Sequence, residues 1–121
     1  MRQIEDFPTP DRRERKYRRF NIQFPVRVSF PSAGLRRSLI AVSKNVSIGG
    51  ILVKAENQIP AHTAVSLTID VRGLGSGRAV RLLGEGEVVR VESLGANAGF
   101  AIAIECSQPI REMQQYLPTA C

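Results

Sequence analysis

Apolar and polar residues alternate along most of the chain after residue 24, which is the pattern of half-buried β-strands. This alternation predicts six strands, at 24–30, 35–42, 50–55, 65–71, 79–91 and 100–104. Clusters of turn-forming residues separate the strands, among them Pro31–Gly34 and Leu94–Asn97. Glycines inside a strand often mark a bulge or a sharp bend, so Gly84 and Gly86 predict one in the fifth strand.

The pattern changes near the end of the chain from period two to a helical spacing. Ser107 is a suitable N-cap and Pro109 suits a first helical turn, and an apolar face follows with Ile110, Met113 and Leu117. Short antiparallel-type strands followed by one helix predict an all-β fold, either a small barrel or a sandwich, closed by a short C-terminal helix.

The composition indicates what kind of partner the protein binds. The chain has 121 residues, enough for one domain, and a net charge of +6. Arginine supplies 14 of the 17 basic residues, and its planar fork of donors grips phosphates and guanine edges in pairs. The charge therefore predicts an anionic partner: a nucleic acid, a nucleotide or an acidic membrane surface.

Several classes of protein are disfavoured. No apolar stretch approaches the ~20 residues that span a bilayer, and the N-terminus lacks the apolar run of a signal peptide, so we expect a cytoplasmic protein without membrane insertion. Cys106 and Cys121 are interpreted as free thiols. With His62 as the single histidine, neither a metal site nor a set of nucleophile, base and orienting group is evident, and we expect no enzyme.

Basic residues are concentrated at the start of the chain. Residues 1–19 contain seven basic and four acidic residues and few large apolar ones, which predicts a flexible arm over 1–21 and a folded domain over 22–121. Arg15 and Arg19 are four residues apart, so in a flexible arm their guanidinium groups can enclose one compact anion. The alternative is a solvated run of charges.

A second group of polar residues lies between the second and third predicted strands. Asn45, Ser47 and Gly50 suit a polar turn, which is the simpler interpretation. The functional interpretation gives Asn45 and Ser47 hydrogen bonds to a base edge or a phosphate. Gly50, which lacks a Cβ atom, then allows a ligand to approach the backbone.

Together, the two groups resemble the motifs of the PilZ domain family. An RxxxR motif matches residues 15–19, and a [D/N]xSxxG motif matches residues 45–50. Residues 84–91 and 99–102 also resemble late strands of that family, and the likeness extends over about 12–117. It implies a six-stranded antiparallel PilZ-type β-barrel that binds the bacterial second messenger cyclic di-GMP and needs no other cofactor.

The resemblance also implies roles for individual residues. Arg15 and Arg19 would contact the phosphates and guanines of the ligand, while Asn45, Ser47 and Gly50 would line the other side of the site. Binding would draw the arm over the barrel and create a surface for a downstream protein that the sequence does not identify.

The chain departs from the family pattern at one position. Many members have a second arginine directly before RxxxR, where this chain has Glu14, and Arg12 and Arg13 just upstream are the candidates to replace it. Arg90 is a candidate to pack on a guanine, with an ordinary exposed strand arginine as the equal alternative.

Two other functions compete with a receptor for cyclic di-GMP. Because of Glu14, a PilZ-like adaptor that contacts proteins without binding the nucleotide stays open. A single-stranded nucleic-acid binder is disfavoured, since aromatic residues make up 6% of the chain and tryptophan is absent, which leaves little for bases to stack on.

Overall fold

The computed structural model describes residues 18–72 and 79–117, which form a closed antiparallel barrel. Its strands are β1 (Pro25–Ser32), β2 (Leu35–Ser47), β3 (Gly50–Ala55), β4 (Ala64–Arg72), β5 (Ala79–Ser93) and β6 (Phe100–Cys106). The order around the barrel is β1-β2-β3-β6-β5-β4, and β4 pairs with β1 to close it. The all-β, six-stranded antiparallel barrel is thus confirmed. Residues 1–17 of the predicted arm lie outside the described residues.

Alternation along each strand builds the core. Most inward positions of the six strands are apolar and buried, for example Val28, Val46, Leu67, Val88 and Ile102. Side chains from outside the strands are buried with them, among them Ile59, Ile110 and Met113. Burial of apolar surface stabilises a fold by roughly 25 cal/mol per Å², so this continuous core holds the strands in register.

A two-residue turn joins β1 to β2. Ala33 and Gly34 both have positive φ, 52° and 78°, as a type I′ turn requires, and this turn suits the twist of a hairpin. The predicted turn cluster was too long, because Pro31 and Ser32 belong to β1. Proline is accepted there because β4 pairs with β1 only as far as Ser29, so no ladder bond is lost.

The second strand is longer than the alternation predicted. It continues through Asn45 and ends at Ser47, with a register shift at Lys44, where a bulge interrupts its pairing with β3. The other shift is in β5, at Val89, so the alternative of a bulge at Gly84 or Gly86 was wrong.

The C-terminal helix is a 3-10 helix over Arg111–Tyr116. The prediction that Ser107 caps it was wrong. The Ser107 N–H donates to Glu85 O at 2.8 Å and the Ile110 N–H donates to Ile48 O at 2.7 Å. Because these amides bond to the barrel, the chain begins its helix only after Ile110. The predicted apolar face is correct at Met113, which is fully buried.

Cys106, at the end of β6, is a free thiol, as predicted. Burial, with a smaller contribution from the Glu105 carboxylate, raises the pKa of this thiol from 9.0 to about 11. The neutral form is therefore favoured by folding, and this preference is lost as the pH rises through about 11.

The raised pKa predicts slow alkylation. At pH 8 the folded chain should hold about 100-fold less Cys106 thiolate than an unperturbed cysteine. Iodoacetamide labelling of a Cys121→Ser variant, followed by mass spectrometry, should therefore be much slower in buffer than in urea. Equal rates under the two conditions would contradict the buried position of this thiol.

Candidate functional site

The polar motif of residues 45–50 forms the end of β2, a tight turn at 48–49 and the start of β3. Ser47 is buried, and its Oγ accepts hydrogen bonds from the N–H groups of Gly49 and Gly50, at 3.2 and 3.1 Å. The same hydroxyl donates to Gly50 O at 3.3 Å. The Ser47 hydroxyl therefore holds the turn together, as the simpler interpretation of the motif, a polar turn, predicted.

Gly50 is required by the packing of two strands. A Cβ atom at this position would lie 2.8 Å from the backbone carbonyl oxygen of Ile104 in β6, closer than real Cβ contacts. In the functional interpretation of the sequence, this glycine allows a ligand to approach the backbone. The structure supplies another sufficient reason, the close pairing of β3 with β6.

The same turn is bonded to the C-terminal part of the chain. Its two carbonyl groups accept hydrogen bonds: Gly49 O from the Cys106 N–H at 3.0 Å, and Ile48 O from the Ile110 N–H. The turn is thus fixed through its amides by Ser47 and through its carbonyls by residues 106–110.

The arm reaches the barrel beside this turn. Phe20 forms an isolated antiparallel bridge with Val46, with two backbone hydrogen bonds of 2.8 Å. Because the pairing is antiparallel, Arg19 lies toward the Ser47 end of β2. Arg18 takes another direction, with its guanidinium carbon 5.7 Å from the centre of the Phe20 ring. Both arginines are exposed. The last arginine of RxxxR is therefore next to the second motif.

Ser43 anchors the junction between arm and barrel. Its buried Oγ donates to Ile22 O at 2.5 Å and accepts from the Phe24 N–H at 2.7 Å, while its own N–H donates to Phe24 O. This residue was missed by the sequence analysis, because the predicted strand ended at Val42 and a serine just beyond it looks like part of a polar turn. Its burial next to the bulge at Lys44 is visible only in the structure.

Replacement of Ser43 by alanine should loosen this junction. The Phe24 N–H would lose its partner, and the free energy of unfolding should fall by roughly 1–3 kcal/mol. Urea denaturation measures the loss, and hydrogen exchange should show faster exchange at Phe24 than in wild type. Ser38→Ala, on the exposed part of the same strand, is the control and should leave stability within about 0.5 kcal/mol of wild type.

Strand register brings Asn45 and Arg90 into one row on the outside of the barrel. Asn45 pairs with Leu52, Leu52 with Ala103, and Ala103 with Arg90. Paired residues share a face, and the neighbouring row is buried, so this row faces outward. Three strand spacings separate its ends by about 14 Å. We call this outer surface of β2-β3-β6-β5 the motif face.

Two bulges widen the motif face. A bulge places two residues opposite one, so Lys44 lies beside Asn45 opposite Leu52, and Val89 lies beside Arg90. Lys44 and Lys54 add exposed positive charge on β2 and β3. Neither lysine was among the predicted site residues. The position of Lys44 depends on the bulge, and that of Lys54 depends on the pairing of β3 with β2.

Acidic residues limit the positive charge to part of the surface. Glu87 and Glu105 lie in the next row, with Ser47 and Gly50. The exposed His62 places its Nδ1 3.2 Å from the Glu87 carboxylate. On the other side, exposed Glu92 lies in the row of Lys54. The positive part of the motif face is therefore the row of Asn45, with Lys44 and Arg90, and the arm beside it. Arg12, Arg13 and Arg15 lie outside the described residues.

Residues 18–72 and 79–117 contain no group of three or more histidine, cysteine or acidic side chains placed to hold a metal ion. They also contain no helix with the length and apolar character needed to cross a bilayer.

Comparisons with known proteins agree with this architecture. The chain is similar to the Bacillus subtilis inhibitor of motility MotI/DgrA, with a TM-score of 0.67 and 18% identity over 84% of this chain and 47% of that one. The chain thus spans about half the length of that protein. It is also similar to the PilZ domain of CeSA from a cellulose-synthesizing bacterium, with a TM-score of 0.51 and 18% identity over 82% of this chain and 90% of that domain. These likenesses show a shared fold.

The family is shown by the sequence itself. No curated protein matches the chain significantly. The sequence profile of the PilZ domain, however, matches residues 13–117, which include both motifs and all six strands. This chain therefore belongs to the PilZ domain family, which comprises receptors and adaptors rather than enzymes.

Proposed function

We propose that this protein is a non-catalytic receptor that binds cyclic di-GMP and passes the signal to a partner protein by ordering its N-terminal arm. The observation that carries the proposal is the bridge between Phe20 and Val46, which brings the end of RxxxR to the Asn45–Gly50 motif. Two sequence motifs that are 26 residues apart, from Arg19 to Asn45, thereby meet at one end of β2.

The chemistry of the ligand suits the residues of this region. Cyclic di-GMP carries two phosphate charges and two guanines, and arginine pairs its fork with phosphate oxygens or with guanine O6 and N7. Arg15 and Arg19 are the phosphate and guanine ligands in this proposal, with Arg12 or Arg13 in place of the arginine that Glu14 replaces. Arg90, at the far end of the motif face, is the residue that stacks on a guanine in this proposal.

In this proposal, Ser47 and Gly50 contribute to ligand binding by shaping the turn as well as by contacting the ligand. With its amides and carbonyls already bonded, the turn is held in one geometry, which lowers the entropy lost on binding. Asn45, half-buried at the start of this motif, offers an amide that can both donate to and accept from a base edge.

Calorimetric titration tests the proposal. The full chain should bind cyclic di-GMP with measurable heat and saturation, and GTP and cyclic di-AMP should give weaker binding or none. Absence of heat at high concentrations of cyclic di-GMP, together with no shift in the melting temperature, would contradict the receptor. It would favour the adaptor that contacts proteins without the nucleotide.

A further inference from the structure

One strand of the barrel, β2, has an unpaired side on the part that is remote from residues 45–50. Residues Leu35–Ala41 of β2 pair with β1, but pairing with β3 begins only at Val42. No other described residue forms a backbone hydrogen bond to this stretch. We call Leu35–Ala41 the open edge.

The direction of the backbone groups follows from one hydrogen bond. The Ser43 N–H points to the β1 side, where it donates to Phe24 O at 2.9 Å. Amide directions alternate along an antiparallel strand, so the N–H and C=O groups of Arg36, Ser38 and Ile40 point away from β1. The open edge thus presents three residues that are ready to pair with an added strand.

The side chains of the open edge are those of a binding surface. Leu35 and Ile40 are 64% and 61% exposed, large values for residues of this size in a strand. Arg37 is exposed, and no described residue forms an ion pair with it. Arg36 instead reaches across β1, where its guanidinium donates to Ser66 Oγ at 2.8 Å.

The charge of the β1–β2 hairpin indicates which side chains an added strand should carry. Residues 25–43 contain three arginines, Arg27, Arg36 and Arg37, and no acidic residue. Positive charge on an edge strand opposes pairing with a second copy of the same chain. It favours a strand whose acidic side chains lie on the face of Arg37 and whose apolar side chains lie on the face of Ile40.

We propose that the open edge binds an extended segment of another protein, in which acidic and apolar residues alternate, by adding it to the barrel as a strand. Backbone hydrogen bonds to Arg36, Ser38 and Ile40 supply affinity, and the contacts of Arg37 and Ile40 supply specificity. The inference does not depend on nucleotide binding, because the open edge is on the part of β2 remote from residues 45–50.

The test uses a blocked, fluorescently labelled peptide of about nine residues in which valine alternates with glutamate, and the full chain without nucleotide. Fluorescence anisotropy should show saturable binding. Arg37→Glu should weaken it by at least about tenfold, since an attractive contact becomes repulsive. Arg111→Glu makes the same charge reversal on the exposed 3-10 helix and should leave binding within about twofold.

Two further experiments distinguish strand addition from simple charge attraction. A peptide with N-methyl groups on alternate amides keeps its charge but loses the hydrogen bonds to the edge, and it should not bind. Ser38→Pro removes one outward N–H from the protein and should weaken binding of the unmodified peptide.

Three results would overturn the proposal. One is no binding of the valine–glutamate peptide to wild type at millimolar concentration. Another is equal binding of the N-methylated peptide. The third is a dimer in light scattering that dissociates in Ser38→Pro, because a second copy would then occupy the edge. Since calorimetry with cyclic di-GMP is a separate measurement, failure of the receptor and failure of this inference are distinguishable.

Discussion

Replacement of Arg19 by alanine is expected to weaken cyclic di-GMP binding by about 30- to 100-fold, and Arg15→Ala should do the same. A hydrogen bond to a charged group contributes roughly 1.5–3 kcal/mol, and a factor of ten corresponds to about 1.4 kcal/mol. Arg19→Ala should keep the melting temperature of wild type, because Arg19 is exposed. Calorimetry measures the affinity, and circular dichroism confirms the fold.

Arg18→Ala is the matched control for this prediction. Arg18 lies between the two motif arginines, but its guanidinium is over the Phe20 ring, so its loss should change affinity by less than about fivefold. Equal losses in Arg18→Ala and Arg19→Ala would mean that the arm contributes only net charge. That result would exclude a specific arginine pair.

Gly86→Ala should cause a large loss of stability. A Cβ atom at this position would lie 2.3 Å from Glu105 O and 3.0 Å from the Cys106 Cα, both backbone atoms of β6. Gly86 pairs with both β4 and β6, so the strands cannot separate locally without loss of ladder bonds. The free energy of unfolding should fall by about 3 kcal/mol, or roughly 10 °C in melting temperature.

The neighbouring glycine of the same strand provides the comparison. A Cβ atom at Gly84 would lie 2.5 Å from Ile110 Cδ1, the far end of a flexible side chain that can turn aside. Gly84→Ala should therefore cost clearly less than Gly86→Ala in urea denaturation. If the two substitutions had equal effects, the backbone contact between β5 and β6 would not be the cause.

The strands were predictable because one face of each is buried. Alternation at Val65–Val71 or at Phe100–Ile104 is imposed by the core, so it is written directly in the sequence. The end of β2 was missed because the bulge at Lys44 breaks the alternation there. The helix start was wrong because the Ser107 and Ile110 amides bond to distant carbonyls, and local capping rules contain no such information.

The sequence was sufficient to predict the two motifs of the candidate site, but not the surface on which their residues lie. Their residue types pointed to an anion, yet the row from Asn45 to Arg90 depends on the pairing of four strands. The roles of Ser43 and Gly50 depend on contacts with Ile22, Phe24 and Ile104. Such roles follow from tertiary structure, and no local pattern indicates them.

Closure of the barrel has a consequence for the rate of folding. β1 meets β4 through pairs such as Val28 and Leu67, roughly forty residues apart in the chain. Contacts of this range are formed only after a large loss of chain entropy, so we expect folding in milliseconds to seconds. A nascent chain would expose several unpaired strands during that time, and the arginines at 27, 36 and 37 would keep neighbouring copies apart until the barrel closes.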